Sequence, residues 1–201
     1  MMRAVLAPAA GGSQGTPRRA GAPDHAVFGM GLFIFTEVML FAAFISAFII
    51  VRRVVPVDQW PPPHQPRLPF ERTAINTVAL LLSGVALAIS RRALRTGGAA
   101  AASRPLGAAV LLGAFFLAFQ GAEWVALIRQ GLTLTSSQIG SFFYLIVGAH
   151  ALHAVIALSG LVYCWFRLRA ERLKGSVFGA IALFWYFVVL MWPVLYLEVY
   201  R

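Results

Sequence analysis

The sequence predicts an all-α integral membrane bundle of five transmembrane helices, and three observations carry that prediction. Apolar runs recur at roughly 27–51, 73–94, 106–128, 138–166 and 175–200, each near or above the ~20 residues that a helix needs to cross about 30 Å of hydrocarbon. The composition, 60% hydrophobic and 12% charged, leaves too few polar side chains to clothe a water-soluble molecule of this length. Lys and Arg fall in short clusters between the runs, where they anchor helix ends. The net charge of +10 therefore reads as membrane anchoring, and nucleic-acid binding is not predicted.

Residues 1–25 are rich in Gly, Pro, Ala and Ser and read as a flexible tail. "AVLAPAA" within them is too short for a signal-peptide core. Residues 26–201 form the transmembrane domain. The proline-broken stretch "VVPVDQWPPPHQPRLPFER" separates the first two runs, "SRRALRTGGAAAASRP" the next two, and "RQGLTLTSSQ" and "RLRAERLKG" the last pairs. Eleven basic residues fall on the side of the N-terminus and the second and fourth connections, against six on the other side. By the positive-inside rule this predicts a cytoplasmic N-terminus and an external C-terminus. Cys164 is the single cysteine, so no intrachain disulfide can form.

The polar residues inside the apolar runs are the candidate functional groups. Glu37 stands ten residues into the first run, about 15 Å deep at 1.5 Å per residue. Such a carboxyl is expensive when ionised and either takes up a proton or finds a partner. Two roles stay open: a bonded group that ties helices together, or a proton-handling site. In "GAHALHAVIALSG", His150 and His153 lie three apart on one helix face. They could be structural, could begin a metal or haem site that two ligands leave incomplete, or could pair with Glu37 at similar depth. Glu123 and Glu198 sit toward helix ends as interfacial groups. Asn76 and Ser83 in "INTVALLLSG" are interhelical hydrogen-bonding candidates, and Ala42, Ala43, Ser46 and Ala47 allow close helix approach. No nucleotide loop, paired cysteines or complete histidine ligand set is present in the sequence, so no metal or cofactor is predicted in this chain and no catalytic residue is assigned to it.

Several collinear motifs resemble subunit III of the haem–copper oxidases, in particular bacterial cytochrome c oxidase subunit III. They are "GMGLFIFTEVMLFAAF", "QWPPP", "ERTAINTVALLLSG", "LLGAFFLAFQGAEW" and "GSFFYLIVGAHALHAVIALSGL". The resemblance runs from about Asp24 to Tyr200. It implies a seven-helix family fold from which the first two helices are absent here, as in five-helix bacterial forms. It implies a non-redox subunit in the bacterial inner membrane that packs on subunit I alongside subunit II and supports stability and proton uptake. Haem and copper would sit in the partner subunits, cytochrome c would be met indirectly, and phospholipid is the one small ligand implied. By position, Glu37 matches the family's carbodiimide-reactive glutamate, while His150, His153 and Glu123 match its other membrane polar groups. The last run departs from the pattern: Tyr186 and Val189 stand where the family has His and Asp. A quinol oxidase subunit, a nitric oxide reductase accessory protein, a small proton channel and an assembly scaffold are the alternative readings.

Overall fold

The computed structural model describes residues 25–54, 70–131, 133 and 138–200. Residues 1–24 of the predicted tail and residues 55–69 of the proline-rich first connection, with Trp60 and His64, lie outside the described residues, while His25 already belongs to the first helix. The architecture is all-α. Four helices follow in order: α1 (His25–Val54), α2 (Phe70–Arg129), α3 (Gln138–Arg169) and α4 (Gly175–Tyr200). All four are long and apolar enough to cross a membrane.

The five-helix expectation is corrected at α2. The stretch read as a connection, "SRRALRTGGAAAASRP", is helical throughout except at Gly98, because Arg, Ala and Leu are strong helix formers. Gly98 has φ 76° and ψ −167°, a backbone region open essentially to glycine alone. The chain reverses there. Thr73 Oγ1 donates to Glu123 Oε2 at 3.0 Å, and Asn76 Nδ2 to the Phe116 carbonyl at 3.2 Å. Ser90 Oγ donates to the Ala102 carbonyl at 2.9 Å. These bonds pair residues ever closer in sequence as they approach Gly98, so α2 is one element folded into two antiparallel arms, residues 70–97 and 99–129. A Cβ at Gly98 would meet no atom within 4 Å. Gly98→Ala is therefore expected to destabilise through backbone strain alone, by about 1–3 kcal/mol, read as a lowered midpoint in thermal unfolding. An unchanged midpoint would mean that the hinge does not depend on glycine.

Side-chain contacts fix the directions of the other helices. Phe33 meets Phe184 with ring centroids 5.6 Å apart, and Arg52 Nη1 reaches the Glu198 carbonyl at 3.5 Å, so α1 and α4 run parallel. α3 runs against both, since His150 meets Trp192 and Gly160 faces Ile181. α1 packs on α3 and α4 and makes no contact with α2 among the described residues. One end of the bundle thus gathers the Gly98 hinge, the end of α3 and the start of α4. It carries Arg91, Arg92, Arg95, Arg104, Arg167, Arg169, Arg172 and Lys174. The opposite end carries Arg52, Arg53, Arg72 and Arg129.

The polar groups point inward. Thr73, Asn76, Thr77, Ser83 and Ser90 form a buried seam along the first arm of α2, at the three- and four-residue spacing of one helix face. Two fully buried indoles of α4 dock on it: Trp185 Nε1 donates to Ser83 Oγ at 3.0 Å and Trp192 Nε1 to Thr77 Oγ1 at 2.9 Å. Outside, large apolar side chains such as Phe35, Leu111 and Leu190 are more than 60% exposed. Polar seams between helices with apolar groups outside are the arrangement that lipid favours and water does not. Close approach depends on small residues. A Cβ on Gly113 would stand 2.7 Å from the Trp185 ring.

Candidate functional site: a buried carboxyl–imidazole pair

Glu37 on α1 and His153 on α3 face each other across the interior of the bundle. Glu37 Oε2 lies 3.0 Å from His153 Nε2, and both side chains are nearly buried, 13% and 12% exposed. The other ring nitrogen, Nδ1, stands 2.6 Å from the Ala149 carbonyl one helical turn back. A carbonyl oxygen only accepts, so Nδ1 carries a hydrogen. Nε2 then faces Glu37 with either a lone pair or a second N–H. An acid and an imidazole at this distance attract when one proton is shared between them, and the pair then carries no net charge, which a low-dielectric interior tolerates.

The walls are aromatic. Phe41, one turn along α1 from Glu37, has its ring centroid 5.6 Å from that of His153. Phe184 and Phe187 of α4 lie 6.0 and 6.2 Å from the imidazole, and their own ring planes are within 8° of parallel. These rings exclude water from most of the pair and hold the imidazole in one orientation.

The two histidines part company. His153 meets Glu37, while His150 is buried between Phe41 and Trp192, its ring 5.1 Å from the indole. Neither His150 nitrogen has a protein partner among the described residues. His150 lines a cavity of about 180 Å³ between the second arm of α2 and α3, with Gln120, Trp124 and Val147 also in its wall. The space admits water. Glu123 accepts from Thr73 through Oε2 and borders a separate cavity with Arg72 and Gln130. Asn76 joins the two arms of α2, and Ser83 receives Trp185. Glu198 is exposed, and its main-chain carbonyl takes the Arg52 contact. Among the described residues no group of three or more His, Cys, Asp or Glu side chains is placed to hold a metal ion.

The departures on α4 have a packing account. Val189 is buried with its Cγ1 3.1 Å from the position a Cβ would take on Gly84, so an apolar side chain fills the helix contact there. Tyr186 is partly buried against the core. Sequence reasoning did not single out Phe41, Phe184 or Phe187, because aromatic residues in apolar helices carry no signal that separates a site wall from lipid contact.

The family model for cytochrome c oxidase subunit III matches residues 17–201. This chain belongs to the cytochrome c oxidase subunit III family. Cytochrome c oxidase subunit 3 of the cyanobacterium Synechocystis sp. is 32% identical over 184 residues, covering 90% of this chain and 77% of the relative. The same-named protein of Lycodon semicarinatus is 34% identical over 188 residues, 90% of this chain and 71% of the relative. That of Lumbricus terrestris is 35% identical over 181 residues, 86% and 68%. In this chain the intramembrane acid of α1 faces an imidazole of α3.

Proposed function

We propose that this chain is the non-redox subunit III of a proton-pumping haem–copper terminal oxidase that takes electrons from cytochrome c. It would sit beside subunit I, with subunit II in the same complex, in the bacterial inner membrane. Haem and copper belong to those partners, and this chain performs no catalysis alone. In this reading the two arms of α2 count as separate crossings, which makes five passes. The more basic end, with the N-terminus, lies in the cytoplasm, and the C-terminus lies outside. Membership of the family supports the assignment. The Glu37–His153 pair supports a role in the proton economy of the complex: it stores one proton inside a neutral, aromatic-walled site. Glu37 can pass that proton to His153 and back without changing the charge that the interior must hold. The chain contributes to stability by presenting a rigid apolar surface to its neighbour.

The test is purification of the tagged chain in mild detergent, followed by a visible spectrum. Haem absorbance is expected to co-purify, and its absence would remove the oxidase assignment. Glu37→Gln is expected to leave assembly and haem content largely intact, because the amide keeps the size of the acid and can donate to a His153 Nε2 lone pair. Its effect should fall on the rate of proton uptake during turnover. Loss of the assembled complex in this variant would make the pair a structural tie instead.

A further inference from the structure

We propose that a file of water molecules enters the bundle from the Arg72 end and stops at His150, giving that buried imidazole its own contact with the aqueous phase. The motive is a cluster of unsatisfied polar atoms. Apart from the Glu37 oxygen that meets His153, the buried side-chain polar atoms without a hydrogen-bond partner among the described residues are Asn76 Oδ1, Glu123 Oε1, Trp124 Nε1 and both His150 nitrogens. All of them lie between mid-depth and the end of the bundle that carries Arg72 and Arg129. They belong to the two arms of α2 and to the part of α3 packed against them. None lies toward the Gly98 hinge.

Two cavities flank these atoms. The outer one, about 240 Å³, is bordered by Arg72, Glu123, Ala126 and Gln130, of which Arg72 and Gln130 are exposed. The inner one, about 180 Å³, has Gln120, Trp124 and His150 in its wall. At roughly 30 Å³ per water in the liquid, each has room for several. Between them stands an amide pair, with Asn76 Nδ2 3.4 Å from Gln120 Oε1. Gln120 and Glu123 are three residues apart on one arm, about 4.5 Å of helical rise, and Asn76 and Thr73 match them on the other. A water bonded at about 2.8 Å on either side covers roughly 5.6 Å. One water therefore spans the step from Glu123 Oε1 to the amides.

Water fits the demand where other occupants do not. Asn76 Oδ1 needs a donor, Trp124 Nε1 needs an acceptor, and a neutral imidazole needs one of each. Water supplies both kinds of bond, and polar cavities hold it for that reason. An anion would leave the amide oxygen unsatisfied, and a cation would leave the indole N–H so. An acyl chain would leave every one of these atoms bare in a low-dielectric interior.

The file ends at His150. Phe41 and Trp192 close over the imidazole, with ring centroids 6.3 and 5.1 Å away, and Phe41 also packs on His153. The result is a half-channel. Water and protons exchange with His150 from one end, while the aromatic wall keeps the file apart from the Glu37–His153 pair and no continuous leak crosses the bundle. The inference rests on the membrane reading, but neither on the oxidase partners nor on which end is cytoplasmic.

Indole hydrogen exchange tests this, followed by NMR in heavy water on the full chain, isotope-labelled at tryptophan and held in phosphatidylcholine nanodiscs. The Trp124 signal, assigned through Trp124→Phe, should exchange at least about tenfold faster than that of Trp185, whose enclosed Nε1 is bonded to Ser83. Ala126→Phe fills the outer cavity and should slow Trp124 at least about fivefold, with Ala126→Leu, a smaller plug, giving an intermediate rate. Val155→Phe, on the lipid side of the inner cavity, should change the rate less than about twofold. An unchanged Trp185 rate marks the bundle as intact in each variant. A wild-type Trp124 indole as slow as Trp185 would mean a dry cavity and overturn the proposal. Slowing by Val155→Phe but not by either Ala126 variant would put the entrance on the lipid side and overturn the route. No oxidase partner enters the assay, so its result stands apart from that of the haem test.

Discussion

Trp185→Ala is expected to remove about 3–5 kcal/mol from the stability of the bundle, the range for truncating a large buried aromatic side chain. The indole is fully buried and stands where three elements converge. Its ring fills the space opposite Gly113 and beside Leu158, and its Nε1 bonds Ser83 across to the first arm of α2. Apolar burial from water is weak as a driving force between helices in lipid, so packing and interhelical hydrogen bonds carry the association. Both are lost together here. Neither neighbouring backbone can collapse into the gap without breaking its own helix. Trp185→Phe separates the two contributions. It keeps most of the ring and deletes the bond, and should lose only about 1–2 kcal/mol. Unfolding of the purified protein in increasing SDS measures both. Similar small losses in the two variants would mean that α4 is held elsewhere, through Trp192 and Thr77.

The second large effect is expected at Glu37 and His153. Replacing either one with leucine leaves the other polar group nearly buried beside Phe41, Phe184 and Phe187. Each single variant should lose about 3 kcal/mol, near the lower end for breaking a buried pair because the side chains keep slight exposure. The double variant Glu37→Leu/His153→Leu should recover most of that loss, since both desolvation penalties disappear together. The same SDS titration yields the coupling energy. Proton uptake by the assembled enzyme then distinguishes roles: a double variant that is stable yet slow in uptake assigns the pair to proton handling. If the single losses simply add in the double variant, the 3.0 Å contact carries no energy.

The all-α character and the membrane-length helices were legible because they rest on composition and run length, which tertiary contacts do not alter. The turn between the second and third apolar runs is legible, but its length is not, for a physical reason. Charge and small residues in "SRRALRTGGAAAASRP" lower hydropathy without lowering helix propensity, so the whole stretch reads as a connection although Gly98 alone makes the turn. At the site, depth follows from counting residues but facing does not. Glu37, His150 and His153 could each be placed near mid-membrane by counting residues, yet only the rotation of α1 against α3 determines which histidine meets the acid. His150 and His153 share a helix face by spacing, and a difference of three residues is still enough to send one toward α1 and the other toward Trp192. Asn76 and Ser83 were recognisable as interhelical groups, whereas their partners, the Phe116 carbonyl and the Trp185 indole, were not. Backbone acceptors and indole donors leave no mark in a sequence pattern.

The isolation of α1 from α2 bears on how the protein is made. The helix that carries Glu37 leaves the ribosome ahead of α2, and its native neighbours α3 and α4 follow only after α2. About a hundred residues separate the end of α1 from His153, which at about 5–20 residues per second amounts to roughly five to twenty seconds of synthesis. Throughout that interval the acid-bearing span has been released without the imidazole that neutralises it. Its lodging in the bilayer during translation must therefore be provisional, either with a proton on the carboxyl or under the escort of the insertion machinery, until the C-terminal half arrives.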